Sequence, residues 1–287
     1  MTIQWFPGHM AKARKEIESH IKLVDIVIEL VDARAPMASQ NPMLQQMIHQ
    51  KQKIIILMKK DLADDKETSR WIRYFEEKGI PSIAINANEK QDIAKVIKHV
   101  DIYRENMHEK MKAKGIVQPR ALRAMILGIP NVGKSTLINR LAKKKIAQIG
   151  NRPGITKHQQ WIKVKKQFEL LDTPGVLWPK FDDQEIAKRL AAIGTIKDTI
   201  LSLQDVAAYV LSFLQHHYPE LYEERFSLDP SMEDMWEIFE SIGKQRGALE
   251  SGGQVNFDIV AEQILYDLRS GRIGKISFER IEDYMVQ

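Results

Sequence analysis

Eight consecutive residues of this 287-residue chain, Gly128-Ile129-Pro130-Asn131-Val132-Gly133-Lys134-Ser135, have the spacing G-x-x-x-x-G-K-[ST]. Their types suit one task, which is holding a string of phosphates. Gly128 and Gly133 let the backbone curl where a Cβ would obstruct it, so successive N–H groups and the start of the next helix face the anion. Lys134 supplies a point charge at the β- and γ-phosphates and is expected to be catalytic. The Ser135 hydroxyl is placed to hold Mg²⁺. The expected contacts are Pro130, Asn131, Val132, Gly133, Lys134, Ser135 and Thr136. The flanks agree with this reading: apolar Ala124-Met125-Ile126-Leu127 precedes the loop as a strand, and Thr136 to Leu141 follows it as a helix.

A second segment, Asp172-Thr173-Pro174-Gly175, ends another apolar run. It reads as D-x-x-G, in which the carboxylate reaches Mg²⁺ through water and the Gly175 N–H bonds the γ-phosphate. Four such residues alone are a weak signal. Placed after a phosphate loop, with Thr156 between the two, they become a strong one. Thr156 has the expected job of closing over Mg²⁺ and γ-phosphate, from a Gly- and Pro-punctuated stretch, Gln148 to Thr156, that reads as a mobile loop. Met58-Lys59-Lys60-Asp61 stands where guanine-binding proteins have Asn-Lys-x-Asp. The aspartate there accepts two hydrogen bonds from the guanine ring N–H and exocyclic amine, a pattern adenine does not offer. Met58 replaces the Asn, and a thioether cannot make the bonds of an amide. Asn86-Ala87 partly matches a Ser-Ala pair whose backbone N–H contacts the guanine oxygen.

These segments need a sheet to bring them together. Strands are expected at Val24–Val31, Lys53–Leu57, Pro81–Ile85 and 124–127, alternating with helices at Pro42–His49, Lys66–Lys78 and Asp92–Lys114. That alternation predicts an α/β fold with a mainly parallel sheet and helices on both faces. Ligands in such sheets bind outside the carboxyl ends of the strands, so Asp61, Asn86, Gly128 and Asp172 should converge. Residues 161–164 and 167–171 read as a hairpin. Beyond about Trp178 only helical periodicity remains. Asn256 is a candidate cap there, Phe257, Val260, Ile264 and Leu268 form an apolar stripe, and Gly271 is the stop. Similar stripes run through Val206–Leu214 and Met235–Ile242. Two domains are expected, residues 1–180 with the phosphate loop and an all-α domain over 181–287.

Composition narrows the class. There is no cysteine, hence neither a disulfide nor a thiolate metal site. No run of about 18 apolar residues occurs, and the first residues lack a signal-peptide charge pattern, so a cytoplasmic protein without membrane attachment is expected. The net charge of +5 is unevenly spread, with 36 Lys and Arg against 22 Asp and Glu over residues 1–200, and 7 against 16 thereafter. The basic front predicts a large polyanionic partner. Lys110, Lys112, Lys114, Arg120 and Arg123 form one basic cluster in the sequence.

The order of the segments is itself informative, since the base-reading elements precede the phosphate loop. With Trp5-Phe6-Pro7-Gly8-His9-Met10, Asp32-Ala33-Arg34, Arg152-Pro153-Gly154-Ile155-Thr156 and Leu171-Asp172-Thr173-Pro174-Gly175, the whole chain resembles the circularly permuted P-loop GTPases of the bacterial ribosome biogenesis GTPase A family. Met58 is the departure from the pattern.

The resemblance implies GTP hydrolysis with Mg²⁺ held through Ser135, Thr156 and Asp172. Val176 stands where many GTPases carry a water-orienting glutamine. The resemblance therefore implies K⁺ held partly by Asn131, and His9 swinging in as a catalytic group. It also implies GTP and GDP as ligands and the large ribosomal subunit, its RNA and proteins, as partner of a monomer, with hydrolysis timing a late assembly step. RNA contact by the acidic C-terminal part would use a basic edge of Lys244, Arg246, Arg269, Arg272 and Lys275. Two alternatives stay open: a GTP switch with a non-ribosomal protein partner, and a nucleotide-gated RNA-binding scaffold with little turnover.

Overall fold

The computed structural model describes residues 9–144, 160–164, 168–177, 181 and 183–284, and of residues 9–13 and 160 only the backbone. Thr156, the segment around it, Trp5-Phe6 and the His9 side chain lie outside the described residues.

In chain order the elements are α1 (His9–His20), β1 (Ile26–Asp32), α2 (Pro42–Ile48), β2 (Gln52–Met58), α3 (Asp65–Glu77), β3 (Ser82–Ile85), α4 (Lys90–Ala113) and β4 (Leu122–Gly128). There follow α5 (Lys134–Ala142), β5 (Gln160–Val164), β6 (Phe168–Asp172), α6 (Gln184–Ala192), α7 (Leu203–His217), α8 (Pro219–Phe226), α9 (Met235–Arg246) and α10 (Phe257–Ser270). The strands make one sheet in the order β3-β2-β1-β4-β6-β5, parallel except for the antiparallel β5–β6 hairpin at one edge.

All seven residues of β1 are buried, as a central parallel strand covered on both faces requires. Alternate residues serve opposite layers. Ile26, Ile28 and Leu30 join Ile54, Ile56, Ala124 and Ile126 under Val96 and Val100 of α4 and Leu137 of α5. Val27 and Val31 face the other way, towards Ile17, Leu44 and Ile48 on one side and Trp71 and Phe75 on the other. The expected strands and helices are present, with ends shifted by a few residues. β1 starts at Ile26 rather than Val24 because Asp25 is turned out of line: its carboxylate takes Arg120 at 2.7 and 2.8 Å and the Arg123 N–H at 2.8 Å. The same bonds engage Arg120, and Arg123 pairs with Glu169 at 3.4 Å, so two of the five members of the expected basic cluster are spent on structure.

Helix ends follow their caps. Asn41 accepts from the Met43 N–H ahead of Pro42, Asp64 from the Lys66 and Glu67 N–H groups, and Asn256 from the Ile259 N–H, while Gly271 closes α10 at φ +78. The helices α6 to α10 pack their stripes on one another, and their apolar core runs on into the layer under the sheet. A feature without a sequence signal follows α10. The chain returns to the sheet side, where Phe278 N–H bonds Arg34 O at 2.7 Å and Ile276 N–H bonds Leu62 O at 3.1 Å. Glu279, fully buried, takes the Ala38 N–H at 2.9 Å and the Met37 N–H at 2.6 Å, and its carbonyl accepts the Trp71 indole N–H at 3.1 Å.

Candidate functional site

β1 is followed rightward by β4 and leftward by β2, so the chain reverses direction between β1 and β4, and the crevice at their carboxyl ends is where an open α/β sheet binds its ligand. Register brings the expected segments to that edge. Asp32 lies level with Met58, Met58 with Ile85, Leu30 with Gly128, and Ile126 with Asp172. The phosphate loop, the D-x-x-G segment, Lys59 to Asp61 and Asn86-Ala87 thus leave neighbouring strands at one end.

The loop after β4 fits closely on its surroundings. A Cβ on Gly128 would stand 3.1 Å from Leu30 O, and one on Gly175 would stand 3.0 Å from both Pro130 Cα and Pro130 N, so both glycines are required by close backbone approach. Gly133 takes φ +105 just ahead of α5. Asn131 is left-handed without being glycine, at φ 59, and its side-chain Nδ2 donates to Gly194 O at 2.8 Å.

Lys134 is buried and reaches Asp172 Oδ1 at 3.3 Å. Burial pushes the Lys134 ammonium down from its ordinary value, and Asp172 opposes that. The other carboxylate oxygen, Asp172 Oδ2, is buried and has no hydrogen-bond partner among the described residues. An unpartnered hard oxygen beside a cation and near the first turn of α5, which carries Ser135, fits Mg²⁺. Neighbouring Thr173 donates its hydroxyl to Ile126 O at 2.6 Å and so fixes the segment to β4. Val176, wholly buried, donates its N–H to Gly128 O at 3.3 Å, and its carbonyl accepts from Asn41 Nδ2 at 3.0 Å. It is a clasp between the two phosphate-facing segments. With the amide nitrogen of Asn131 committed to Gly194, its oxygen is the atom of that side chain left to meet a cation.

On the base side, Lys59 is left-handed at φ 59 and its ammonium lies 3.0 Å from Asp32. Asp32 is buried beneath it and grips Arg34 at both ends, with Nε to Oδ1 and NH2 to Oδ2 each 2.9 Å. Burial alone would raise the Asp32 carboxyl, but Arg34 and Lys59 overcome it and hold it well below the usual carboxylate range. Lys60 turns away to Asp92 at 2.6 Å, where Asp92 also accepts the Asn86 N–H at 2.9 Å. Asp61 is exposed at the mouth. Met58 is buried and packs on Gly133, with its Cε 3.1 Å from where a Cβ would be.

Sequence reading assigned no role to Asp32, Arg34, Asn41 or the Ile193-Gly194 turn. A signal for Asp32 was present, since a carboxylate closing a mostly apolar strand is the same pattern that marked Asp172.

Five parallel strands with these loops at their carboxyl ends make a G domain, but its phosphate strand comes fourth in the chain and its base-reading strand second. The protein is therefore a circularly permuted P-loop GTPase. A family described as "50S ribosome-binding GTPase" matches residues 123–237. The ribosome biogenesis GTPase A of Bacillus cereus is 54% identical over 284 residues, covering 99% of this chain and 96% of that protein. That of Thermotoga maritima is 30% identical over 281 residues, covering 98% and 95%. The crystal structure of GNP-bound YlqF from T. maritima aligns with a TM-score of 0.67 at 27% identity, covering 94% of this chain and 99% of that one. The chain belongs to the ribosome biogenesis GTPase A family.

Proposed function

We propose that this GTPase acts in the cytoplasm as a monomer on the immature large ribosomal subunit, and that GTP hydrolysis times its release at a late assembly step. The observation that carries the nucleotide half is the buried Lys134–Asp172 pair, whose second carboxylate oxygen has no partner among the described residues, set between two glycine-dependent loops. The partner half is supported by the family and by the basic balance of residues 1–200. In this reading residues 1–180 bind and hydrolyse the nucleotide, and residues 181–287 help to dock it.

The phosphates lie against the N–H groups of Asn131 to Thr136, with Lys134 leaving Asp172 for the β- and γ-oxygens. Ser135, Thr156 and Asp172 would hold Mg²⁺, which would supply positive charge against the negative charge developing on the phosphates. Asn131 Oδ1 would help to hold K⁺, which would add positive charge to the site. Lys59 and Asp61 receive the guanine, with Ala87 N–H towards its oxygen. Val176 is locked by Gly128 and Asn41 and cannot orient water, so His9 is given that role when the partner binds.

The C-terminal helices support a second reading. Of the five residues of the expected basic edge, Arg246 and Arg272 pair with Asp267, Arg269 with Asp198, Lys275 with Asp65 and Lys244 with Glu240. Cations so engaged favour contact with ribosomal protein over RNA on that side.

The test is GTP and ATP hydrolysis in potassium buffer, with and without large subunits and across salt. A slow GTP-selective rate that rises many-fold with subunits, and falls with salt, supports the proposal. Flat rates with subunits would reject the ribosomal role, and equal use of ATP would reject the base assignment.

A further inference from the structure

Lys59 pairs an unusual backbone with a single polar tether. It is a non-glycine residue in the left-handed region, φ 59 and ψ 40, at the point where β2 becomes a short turn at Lys60–Leu62. Such conformations persist where the surroundings over-determine them, and they cluster at ligand clamps. The surroundings here are few. Ala33 N–H bonds Met58 O at 2.9 Å and Leu62 N–H bonds Lys59 O at 3.0 Å, which fix the backbone on either side. Among the described residues Met58 contributes packing and no hydrogen bond from its side chain. The side chain of Lys59 has one ion-pair partner among the described residues, Asp32 at 3.0 Å.

Asp32 in turn is held rigidly. It ends β1 in register with Met58, accepts the Arg34 backbone N–H at 3.1 Å and takes both prongs of its guanidinium. Arg34 is anchored beyond that by Ile193 O at 3.4 Å and, through its own carbonyl, by Phe278 N–H at 2.7 Å. A carboxylate fixed this firmly, aimed at a base-side lysine and taking no part in the phosphate chemistry, has a positional use.

We propose that Asp32 is a positioning residue for nucleotide binding: clamped by Arg34, it holds Lys59 in the one conformation that lays its stem along the purine. This rests on the reading that Lys59 to Asp61 receive guanine. The charges support it, since Arg34 and Lys59 hold the Asp32 carboxyl well below the usual carboxylate range against the opposing effect of burial.

The experiment is a cycle on the full chain with Asp32→Glu, Lys59→Met and the double variant, following GDP affinity and GTP turnover. Asp32→Glu keeps a carboxylate for Arg34 but displaces its end by one methylene. Each single change is expected to weaken GDP binding about tenfold, or about 1.4 kcal/mol. The double variant should be no weaker than the worse single one, because both remove the same interaction. Turnover at saturating GTP should hold while KM rises, and the melting temperature without nucleotide should stay near that of the parent.

Losses that multiply to about a hundredfold, or wild-type affinity in Asp32→Glu, would overturn the proposal. A loss of affinity matched by a lower melting temperature of the nucleotide-free protein would also overturn it, because Asp32 would then be only structural. If Asp32→Glu does not fold, Asp32→Asn combined with Arg34→Gln removes both buried charges and carries the same expectations for GDP affinity, KM and turnover. Asp61→Asn separates the two levels, since an amide donor there should turn preference from guanine to xanthine nucleotides. If it does not, the base-reading assignment is wrong. If it does and the cycle multiplies, only the role of Asp32 is wrong.

Discussion

Met58 and Gly133 touch: the Met58 Cε sits 3.1 Å from the position a Gly133 Cβ would take. The base-side strand and the phosphate loop therefore meet through van der Waals contact at a point where the family pattern places an amide. Met58→Asn is expected to tighten GDP binding by roughly two- to tenfold, the range of one or two added hydrogen bonds, while the lost volume costs about 1 kcal/mol of stability. Gly133→Ala should abolish binding, because φ +105 excludes a side chain and Met58 fills the space. Calorimetric titration with GDP reads both.

The Lys134–Asp172 pair makes a prediction about metal. Asp172→Asn keeps the shape but loses charge, so hydrolysis should need several times more Mg²⁺ while GDP binding without metal changes little. Lys134→Ala should lower turnover by about 100-fold or more, the scale of removing one preorganised charge at a transferring group. A Mg²⁺ titration of the hydrolysis rate checks the first, and saturating-GTP turnover checks the second.

Much of this edge was legible in the sequence because its parts are local. Glycine spacing, a strand before and a helix after are all within a dozen residues of Lys134, and the chain order of Lys59-Lys60-Asp61, Gly128 and Asp172 already gave the permutation. The hidden parts depend on residues far apart in the chain. Arg34 bonds Ile193 and Met37 bonds Glu279, separations of 159 and 242 residues, and no periodicity announces such pairs. The pairing of the basic edge was hidden for a related reason, since counting Arg246, Arg269 and Arg272 cannot show that Asp198 and Asp267 already hold them.

The returning tail should matter for stability. Glu279→Ala strands the Met37 and Ala38 N–H groups and the Arg189 guanidinium, 3.3 Å away, and is expected to cost about 3–5 kcal/mol, the scale for breaking a buried pair. Trp71→Ala, at a fully buried ring of α3 whose indole N–H bonds that tail, should cost about as much. Urea unfolding followed by circular dichroism measures each.

Stability should respond to acid in two stages. Burial raises the Glu29 and Glu279 carboxyls, so the folded state takes up their protons first and gains stability as pH falls from neutral. Burial also pushes Asp25, Asp32 and Asp92 upward, but Arg120, Arg34 and Lys60, with their neighbours, outweigh it and lower all three. What those three contribute is fully present above the unfolded aspartate value near 4 and is lost below it, as pH falls through the folded values. Melting temperature is thus expected to hold or rise slightly from pH 7 towards 5 and to fall steeply under about pH 4. Asp32→Asn with Arg34→Gln should make that acid limb shallower.

Ile193 and Gly194, the two residues after α6, offer consecutive carbonyls to opposite ends of the crevice, Ile193 to Arg34 on the base side and Gly194 to Asn131 in the phosphate loop. Arg269 of α10 braces the same turn through the Ala191 and Ala192 carbonyls at 2.8 and 3.1 Å. Two consecutive peptide units are thereby the fulcrum of a lever whose long arm is the helical half of the molecule. A partner that tilts those helices would move both jaws of the nucleotide grip together, without touching either.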